Sequence, residues 1–183
     1  IDVSPMNEIP TLTTFNSPFG PVNEDTEIQI SFADISNNSN VFDVDGSVVA
    51  FVLSDVSNGT LKIGNSDASS AWVYGSNDTV DSLKNAYWTP YSNLNGLSLN
   101  AFKVVAKDAS GAISTSEIQA TIDVSPVNDI PTLTTFNSPF GPVNEDTELQ
   151  ISFVDISNNS NASDVEGSVV AFVLSDVSNG TLK

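Results

Sequence analysis

Acidic and amide side chains lie between paired prolines at two places in this 183-residue chain. The segment "DVSPMNEIP" covers residues 2–10, and "DVSPVNDIP" covers residues 123–131. Proline stiffens such a segment by fixing φ, and Asp123, Asn128 and Asp129 offer oxygen ligands within a few residues of one another. Carboxylate and amide oxygens at short spacing suit Ca²⁺. The two segments therefore predict a cation site in a linker.

Further acids follow predicted strands, at points where a β domain would return its loops to one end. Asp43 and Asp45 lie in "DVDG", and Asp108 lies in "AKDASG". Glu24 follows an earlier strand and is expected at the opposite end. "DVDG" by itself is equally typical of a tight turn. The EF-hand pattern is absent, since the twelfth residue counted from Asp43 is Ser54.

The composition excludes several classes of chemistry. Histidine, cysteine and arginine are absent, so imidazole catalysis and thiolate metal sites are excluded. Five lysines against 23 acids give a net charge of −18, which argues against nucleic acid and anionic membranes as partners. The longest apolar run, "VVAFVL", is far shorter than the roughly 20 residues of a membrane helix. Carboxylate-based or lysine-based catalysis remains for an enzyme, and we predict that the chain is not one.

The chain contains a long internal repeat. Residues 1–62 align without a gap on residues 122–183, with 55 of 62 positions identical. The seven differences are Met6/Val127, Glu8/Asp129, Ile28/Leu149, Ala33/Val154, Val41/Ala162, Phe42/Ser163 and Asp45/Glu166. A period of 121 residues matches a whole domain rather than a solenoid unit.

This repeat predicts a segment of a longer protein. Residues 1–6 are the tail of a preceding linker, residues 7–127 are one complete repeat, and residues 128–183 are the N-terminal part of a second repeat. The second repeat lacks counterparts of "AFKVVAKD" and "STSEIQATIDV". Its apolar face is therefore expected to be open, and this part is expected to be disordered, distorted, or completed by strands of a neighbouring molecule.

Hydrophobic alternation at a period of two predicts seven strands in the complete repeat. They cover residues 11–15, 27–34, 47–55, 59–64, 71–75, 99–108 and 113–124. Turn-forming clusters such as "SNNSN" and "DASG" separate them. The spacing of Val80 and Leu83 indicates a helical turn within residues 78–90. Seven short strands favour an all-β, antiparallel β-sandwich.

Five aromatic residues allow two interpretations. They are Trp72, Tyr74, Tyr87, Trp88 and Phe102. Large aromatic side chains dominate core burial in small β domains, which favours a role as core filler. The alternative is a sugar-binding platform, for which Trp88 is the residue expected to be exposed.

Six motifs in order carry a family resemblance: "PVNEDTEIQISF", "DVDGSVVAFVLS", "SNGTLKI", "YWTPYSNLNG", "AFKVVAKDASG" and "IDVSPVNDIPTL". Together they resemble the cadherin-like tandem repeats of large bacterial surface adhesins. The resemblance spans the whole chain and implies a Greek-key β-sandwich of cadherin/Ig-like type, repeated in tandem.

The resemblance also implies calcium at the domain junctions. At the N-terminal junction the implied ligands are Asn7, Glu8, Asp43, Asp45 and Asp108. At the second junction they are Glu24, Asp123, Asn128, Asp129, Asp164 and Glu166. The arginine-containing box of animal cadherins is missing, and the linker reads Asn-Asp-Ile-Pro. One or two ions at each junction are therefore expected.

The function implied is a calcium-stiffened extender, or stalk, of a secreted adhesin at the cell surface, as in biofilms. Its partners would be neighbouring repeats of the same chain. Duplication at 55 of 62 positions suits a spacer better than a specialised binding site. The alternative is an adhesive module that itself binds another repeat or a cell-surface or matrix polysaccharide.

Overall fold

The computed structural model describes residues 2, 6–66 and 68–182. The chain divides into two compact units, residues 1–126 (unit 1) and residues 127–183 (unit 2). Most of the predicted linker tail, residues 1–6, lies outside the described residues.

Unit 1 is built from two sheets and one short helix. Its elements are β1 (Phe19–Asn23), β2 (Ile28–Ile30), α1 (Phe32–Asn37), β3 (Val48–Ser54), β4 (Gly59–Gly64), β5 (Ser70–Ala71), β6 (Thr79–Asp81), β7 (Asn85–Pro90), β8 (Gly96–Asp108) and β9 (Ile118–Ser125). One sheet has the order β1-β9-β8-β3-β6 and the other the order β2-β7-β4-β5. The prediction of an all-β unit is confirmed. Among the described pairs, β1 and β9 run parallel and the others antiparallel.

Both sheets contribute to a single hydrophobic core in unit 1. Phe51 and Leu53 on β3, Phe102 on β8 and Trp88 on β7 are all 0% exposed. Successive side chains of a strand point to opposite faces, and the alternating burial along β9 follows this rule. The alternating sequence therefore gives the strands an apolar side that contributes to this core.

Three predicted strands are confirmed closely. Residues 47–55 contain β3, residues 59–64 form β4, and residues 99–108 lie within β8. The prediction for residues 113–124 is confirmed in its second half, since β9 begins at Ile118. The prediction for residues 71–75 is wrong beyond Ala71, because the chain turns there and Val73 forms a bridge with Asn77.

The predicted strand over residues 11–15 is wrong, and the segment forms two isolated bridges, at Thr11 and Phe15. Between them the Oδ1 of Asn40 accepts hydrogen bonds from the backbone N–H groups of Thr13 and Thr14, at 3.0 and 3.1 Å. A side chain thus occupies the place of a strand partner. The first strand of the unit is instead β1, in a segment where no strand was predicted.

The predicted strand over residues 27–34 ends early, because helix α1 begins at Phe32. Ser31 is the N-cap. Its hydroxyl accepts a hydrogen bond from the backbone N–H of Asp34, and the Asp34 carboxylate accepts from the backbone N–H of Ser31 at 2.8 Å. This reciprocal capping satisfies two of the free N–H groups at the helix start, and it overrides the strand alternation.

The predicted helical turn within residues 78–90 is also wrong. The segment forms β6 and β7, which belong to different sheets. The Asp81 carboxylate accepts from the backbone N–H groups of Leu83 and Lys84, at 2.8 and 3.0 Å. Leu83 is 78% exposed. The residues between β6 and β7 therefore form a tight turn that takes the chain from one sheet to the other.

The aromatic residues are mainly core residues. Trp88 and Phe102 are 0% exposed, so the expectation that Trp88 is exposed is wrong. Its register opposite Ile28 and Leu61 places it between β2 and β4, at the centre of its sheet. Trp72 packs against the core, and its indole N–H donates to the Leu53 carbonyl at 3.1 Å. Tyr74 is exposed.

Unit 2 contains one helix, α2 (Phe153–Asn158), and no strand among its described residues. Ser152 and Asp155 cap α2 as Ser31 and Asp34 cap α1. Two isolated bridges, Thr132 with Ser163 and Phe136 with Ser160, repeat those of unit 1. Unit 2 thus retains the local structure of its copy in unit 1 without the sheets.

Candidate metal centre

A backbone bridge brings the first proline-rich segment beside the "DVDG" loop in unit 1. The Thr11 N–H donates to the Phe42 carbonyl at 2.8 Å, and the Phe42 N–H donates back at 3.0 Å. The chain runs antiparallel on either side of this bridge. Glu8, three residues before Thr11, therefore lies opposite Asp45, three residues after Phe42.

The carboxylates of the "DVDG" loop accept hydrogen bonds from backbone N–H groups of the loop itself and of Glu8. The Glu8 N–H donates to both oxygens of Asp45, at 3.3 and 3.1 Å. The Asp43 Oδ1 accepts from the backbone N–H groups of Asp45 and Gly46, at 3.3 and 3.2 Å. The other oxygen of Asp43, Oδ2, is buried and has no hydrogen-bond partner. The turn interpretation is therefore confirmed for one oxygen of Asp43, and the ligand interpretation stays a prediction for the other.

Asp108 closes the same end of unit 1, as the last residue of β8. Its side chain is buried, and its Oδ1 accepts from the Ala112 N–H at 2.7 Å. Its Oδ2 accepts from the Asn7 side-chain amide, also at 2.7 Å. The Asn7 amide is the main cause that holds the pKa of Asp108 below its usual value; burial opposes this effect, and backbone N–H groups of the following loop add to it.

Together these contacts bring all five residues of the first predicted set into one hydrogen-bonded cluster. We call this set, Asn7, Glu8, Asp43, Asp45 and Asp108, the unit 1 cluster. Asp43 and Asp45 come from a loop, Asp108 from the end of β8, and Asn7 and Glu8 from the incoming chain. Asn7 and Asp108, which are 101 positions apart in the sequence, are thus in direct contact.

Unit 2 repeats part of this arrangement. The Asn128 side-chain amide donates to the Asp129 carbonyl at 2.8 Å, as Asn7 donates to the Glu8 carbonyl at 3.0 Å. The Asp129 N–H donates to the Glu166 Oε2 at 2.7 Å. The Glu166 Oε1 is buried without a hydrogen-bond partner, and Asp164 is partly buried nearby in sequence. Unit 2 has no residue that corresponds to Asp108.

Glu24 and Asp123 lie elsewhere in unit 1. Glu24 is only 3% exposed, and its Oε2 accepts from the Asn95 side-chain amide at 3.1 Å. Asn95 precedes the first residue of β8, whereas Asp108 is the last, so Glu24 lies at the opposite end of that strand. The Asp123 Oδ1 accepts from the Ser98 N–H at 2.7 Å.

Sequence reasoning missed Asn95 as the partner of Glu24. The available signal was its position in the "SNLNG" loop, immediately before Gly96 at the start of the long strand β8. This loop returns to the end of unit 1 at which Glu24 follows β1. An amide at that position was therefore a candidate partner for a buried acid.

The unit 1 cluster has the ligand types that a hard cation requires. Carboxylate, amide and backbone carbonyl oxygens are the usual ligands of Ca²⁺. In the part of the chain that the structure describes, two buried side-chain oxygens lack a hydrogen-bond partner, Asp43 Oδ2 and Glu166 Oε1. They belong to the same loop of the two copies, and such orphaned acceptors are costly unless something pairs with them. The ligand types present are therefore those that Ca²⁺ prefers, but among the described residues no three acidic side chains lie close enough together to hold a metal ion.

No helix in the described part of the chain is long and apolar enough to cross a membrane. Comparisons with protein-family models, with curated proteins and with solved structures found no match to this chain.

Proposed function

We propose that this chain is part of a calcium-stiffened extender in a large secreted bacterial adhesin at the cell surface. In this proposal each 121-residue repeat is a Greek-key β-sandwich of cadherin/Ig-like type, and the repeats follow one another in tandem. Their role is to hold an adhesive tip away from the cell.

The unit 1 cluster is the observation that carries this proposal. It ties the incoming chain, through Asn7 and Glu8, to a loop and a strand end of the folded unit. The unpaired Asp43 Oδ2 and the carboxylates of Asp45 and Asp108 would hold the ion, with the Asn7 amide turned to offer its oxygen. A calcium ion would replace hydrogen bonds to single residues by shared coordination, and so stiffen the point at which the chain enters the unit.

The recurrence of the arrangement in unit 2 supports a repeated structural role. The contacts from Asn7 to Glu8 and from Glu8 to Asp45 recur from Asn128 to Asp129 and from Asp129 to Glu166, whereas the contact of Asn7 with Asp108 does not recur. The Asp45/Glu166 difference retains the carboxylate. A spacer needs the same attachment in each copy, whereas a binding site specialised for one ligand does not.

The alternative, a module that binds polysaccharide, has less support because Trp88 is fully buried. Of the five aromatic residues considered for a sugar platform, Tyr74 is the one that is clearly exposed. A single exposed tyrosine is a small basis for a sugar site.

A bound calcium ion would also stabilise the folded protein by reducing the repulsion between its acidic side chains. A net charge of −18 on 183 residues destabilises a compact state through self-repulsion. Extracellular calcium modules bind with dissociation constants of roughly 10⁻⁴ to 10⁻³ M. At a free calcium concentration of ten to a hundred times that constant, one site stabilises the folded state by about 1.4 to 2.7 kcal/mol.

Calcium titration of the whole chain tests the metal site. We expect calorimetry to detect binding in the millimolar range and the melting temperature of unit 1 to fall when a chelator is added. Asp43→Asn should weaken binding at the unit 1 cluster. Asp55→Asn removes the same charge at an exposed residue paired with Lys103, and it should leave calcium binding unchanged. Equal effects of the two variants, or no calcium binding, would contradict the site.

An engineered array tests the role as extender. Complete repeats of 121 residues would be placed in varying number between a tethered end and a reporter tip. We expect each added copy to move the tip outward by a constant increment in calcium. If added copies instead raise the avidity for polysaccharide or for other repeats without changing the reach, the adhesive alternative is correct.

A further inference from the structure

We propose that a groove between β1 and β2 of unit 1 binds a short basic peptide in an extended conformation, which pairs with the free edge of β2. The groove has a volume of about 540 Å³. It is lined by residues 17–21, by all three residues of β2, and by Asp34, Asn37 and Asn38 at α1. The proposal rests neither on calcium nor on the role as extender.

Strand β2 is paired with a neighbouring strand on one side only. It is the outer strand of the sheet β2-β7-β4-β5, and its partner is β7. Its other edge borders the groove, because all three of its residues line the groove. The backbone groups of successive residues in a strand point to alternate edges. Part of the β2 backbone is therefore directed at the groove, where an added strand can pair with it.

The other three outer strands of the two sheets are less suited to such pairing. β1 contains Pro21, which has no N–H to donate. The carbonyls of Ser70 and Ala71, which form β5, accept from the side-chain amide of Asn77 at 3.1 Å each. In β6 the Asp81 N–H donates at 3.1 Å to a carbonyl of the turn that follows. β2 contains no proline, and no described side chain is hydrogen-bonded to its backbone.

The floor of the groove is apolar and its rim is polar. Phe19 and Ile30 line the groove and are only 8% and 1% exposed. Gln29 and Asn37 also line it, are exposed, and make no side-chain hydrogen bond with the described residues. Successive side chains of an extended peptide point to opposite faces. A peptide of alternating sequence can therefore place apolar side chains on the floor and polar side chains at the rim.

The charges beside the groove favour a basic peptide. Glu27 directly precedes β2, and Asp34 lies in α1, which follows β2, so a carboxylate lies toward each end of the strand. Glu27 pairs with Lys62 at 2.6 Å, but no lysine lines the groove. The net charge of −18 adds a long-range attraction for a cation. A neutral sugar chain would gain nothing from these charges and has no strand backbone to pair with β2.

Amide hydrogen exchange of the whole chain, followed by mass spectrometry, tests the proposal. The probe is the peptide Lys-Val-Lys-Val-Lys-Val-Lys with both ends blocked. Segment 27–34 is distinguished by mass from its copy 148–155, which has Val154 in place of Ala33. We expect the groove-facing amides of 27–34 to exchange at least about tenfold more slowly at saturating peptide. The peptide Glu-Val-Glu-Val-Glu-Val-Glu should not slow them, and no slowing by the basic peptide would overturn the proposal.

Two methylated forms of the basic peptide separate strand pairing from the attraction of charge. One form carries backbone N-methyl groups on two of its lysines, and the other carries them on two of its valines, so the charge is the same. The N–H groups of alternate residues in a strand point to opposite edges. One form should therefore lose the effect on 27–34, and the other should keep it. Equal behaviour of the two forms would show contact without strand pairing and overturn the proposal.

Two substitutions of glutamate locate the binding site on the protein. Glu27→Gln removes a charge beside β2 and should weaken peptide binding several-fold at low salt. Glu117→Gln removes the same charge from a residue that lies 3.8 Å from Lys103 and does not line the groove, and it should leave binding unchanged. Equal weakening in the two variants would show unspecific attraction to an acidic surface and overturn the proposal. Slowing of 27–34 by a neutral oligosaccharide such as cellohexaose, and not by the basic peptide, would assign the groove to a sugar instead.

Discussion

Residues 28–53 and residues 149–174 have nearly the same sequence and different structures. In unit 1 the first segment forms β2 and β3, whose apolar side chains are buried. In unit 2 the described structure assigns no strand to the second segment, and most of its apolar side chains are exposed. Strand formation here is therefore determined by the partner strands and not by the alternation of the sequence itself.

The helices show the opposite behaviour. Both α1 and α2 have six residues and the same capping box. The bridges at Thr11 and Phe15 recur at Thr132 and Phe136. These features need contacts over fewer than 40 residues, and all of them lie within one copy. Contacts that are local in the sequence are therefore present in both copies, whereas the described structure has the long-range strand pairs in unit 1 and not in unit 2.

The largest expected difference between the two copies concerns one phenylalanine. Phe51→Ala should destabilise unit 1 by about 3 to 5 kcal/mol, because the side chain is fully buried in the core. Phe172→Ala should leave the stability of unit 1 unchanged. Denaturant unfolding followed by tryptophan fluorescence measures this, since Trp72 and Trp88 both lie in unit 1.

A smaller difference is expected at the helix caps. Ser31→Ala removes the N-cap of α1 and should destabilise unit 1 by about 1 kcal/mol. Ser152→Ala makes the same change at α2 and should leave the fluorescence-detected unfolding of unit 1 where it is. Equal shifts of the unfolding midpoint in the two variants would show that unit 1 depends on unit 2, contrary to the comparison.

The smallest expected difference between the two copies concerns stability at acid pH. Asn7→Ala removes the main hydrogen bond that lowers the pKa of Asp108, so this pKa should rise toward its ordinary value. Because the folded-state pKa is depressed, Asp108 stabilises unit 1 above about pH 4 and loses this effect as the pH falls through the folded-state pKa. Asn7→Ala should therefore reduce the part of the acid sensitivity of unit 1 that comes from Asp108.

Asn128→Ala is the matched control, since unit 2 has no residue corresponding to Asp108. The pKa of Asp108 should not change in this variant. An NMR titration of the Asp108 carboxyl carbon, with urea unfolding at neutral and acid pH, measures both effects. A rise of the pKa in both variants, or in neither, would contradict the role given to Asn7.

The fold of unit 1 could be predicted from the sequence where strands are long and central. The alternation in β3, β4 and β8 was sufficient, because each of these strands is paired on both sides and has one face against the core. It failed where a side chain replaces a backbone partner, as Asn40 does beside Thr13 and Thr14. It also failed at β1, whose partner β9 lies about a hundred residues away.

The unit 1 cluster was predicted as a set: loop positions placed Asp43, Asp45 and Asp108 at one end of the domain, and the family resemblance implied Asn7 and Glu8. The individual contacts were not. The sequence does not show that the Asn7 amide faces Asp108, or that one oxygen of Asp43 folds its own loop while the other is left without a partner. These details depend on side-chain rotamers, which only the packed structure fixes.

The parallel pairing of β1 with β9 determines how unit 1 would respond to tension along the chain. Phe19 lies opposite Ile122 and Val22 opposite Val124, and the Glu24 N–H donates to the Ser125 carbonyl at 2.9 Å. A force applied through the residues before β1 and after β9 pulls these strands in opposite directions along their own axes. Their hydrogen bonds are then loaded in shear and have to break together, whereas an antiparallel hairpin pulled at its open end loses its bonds one at a time.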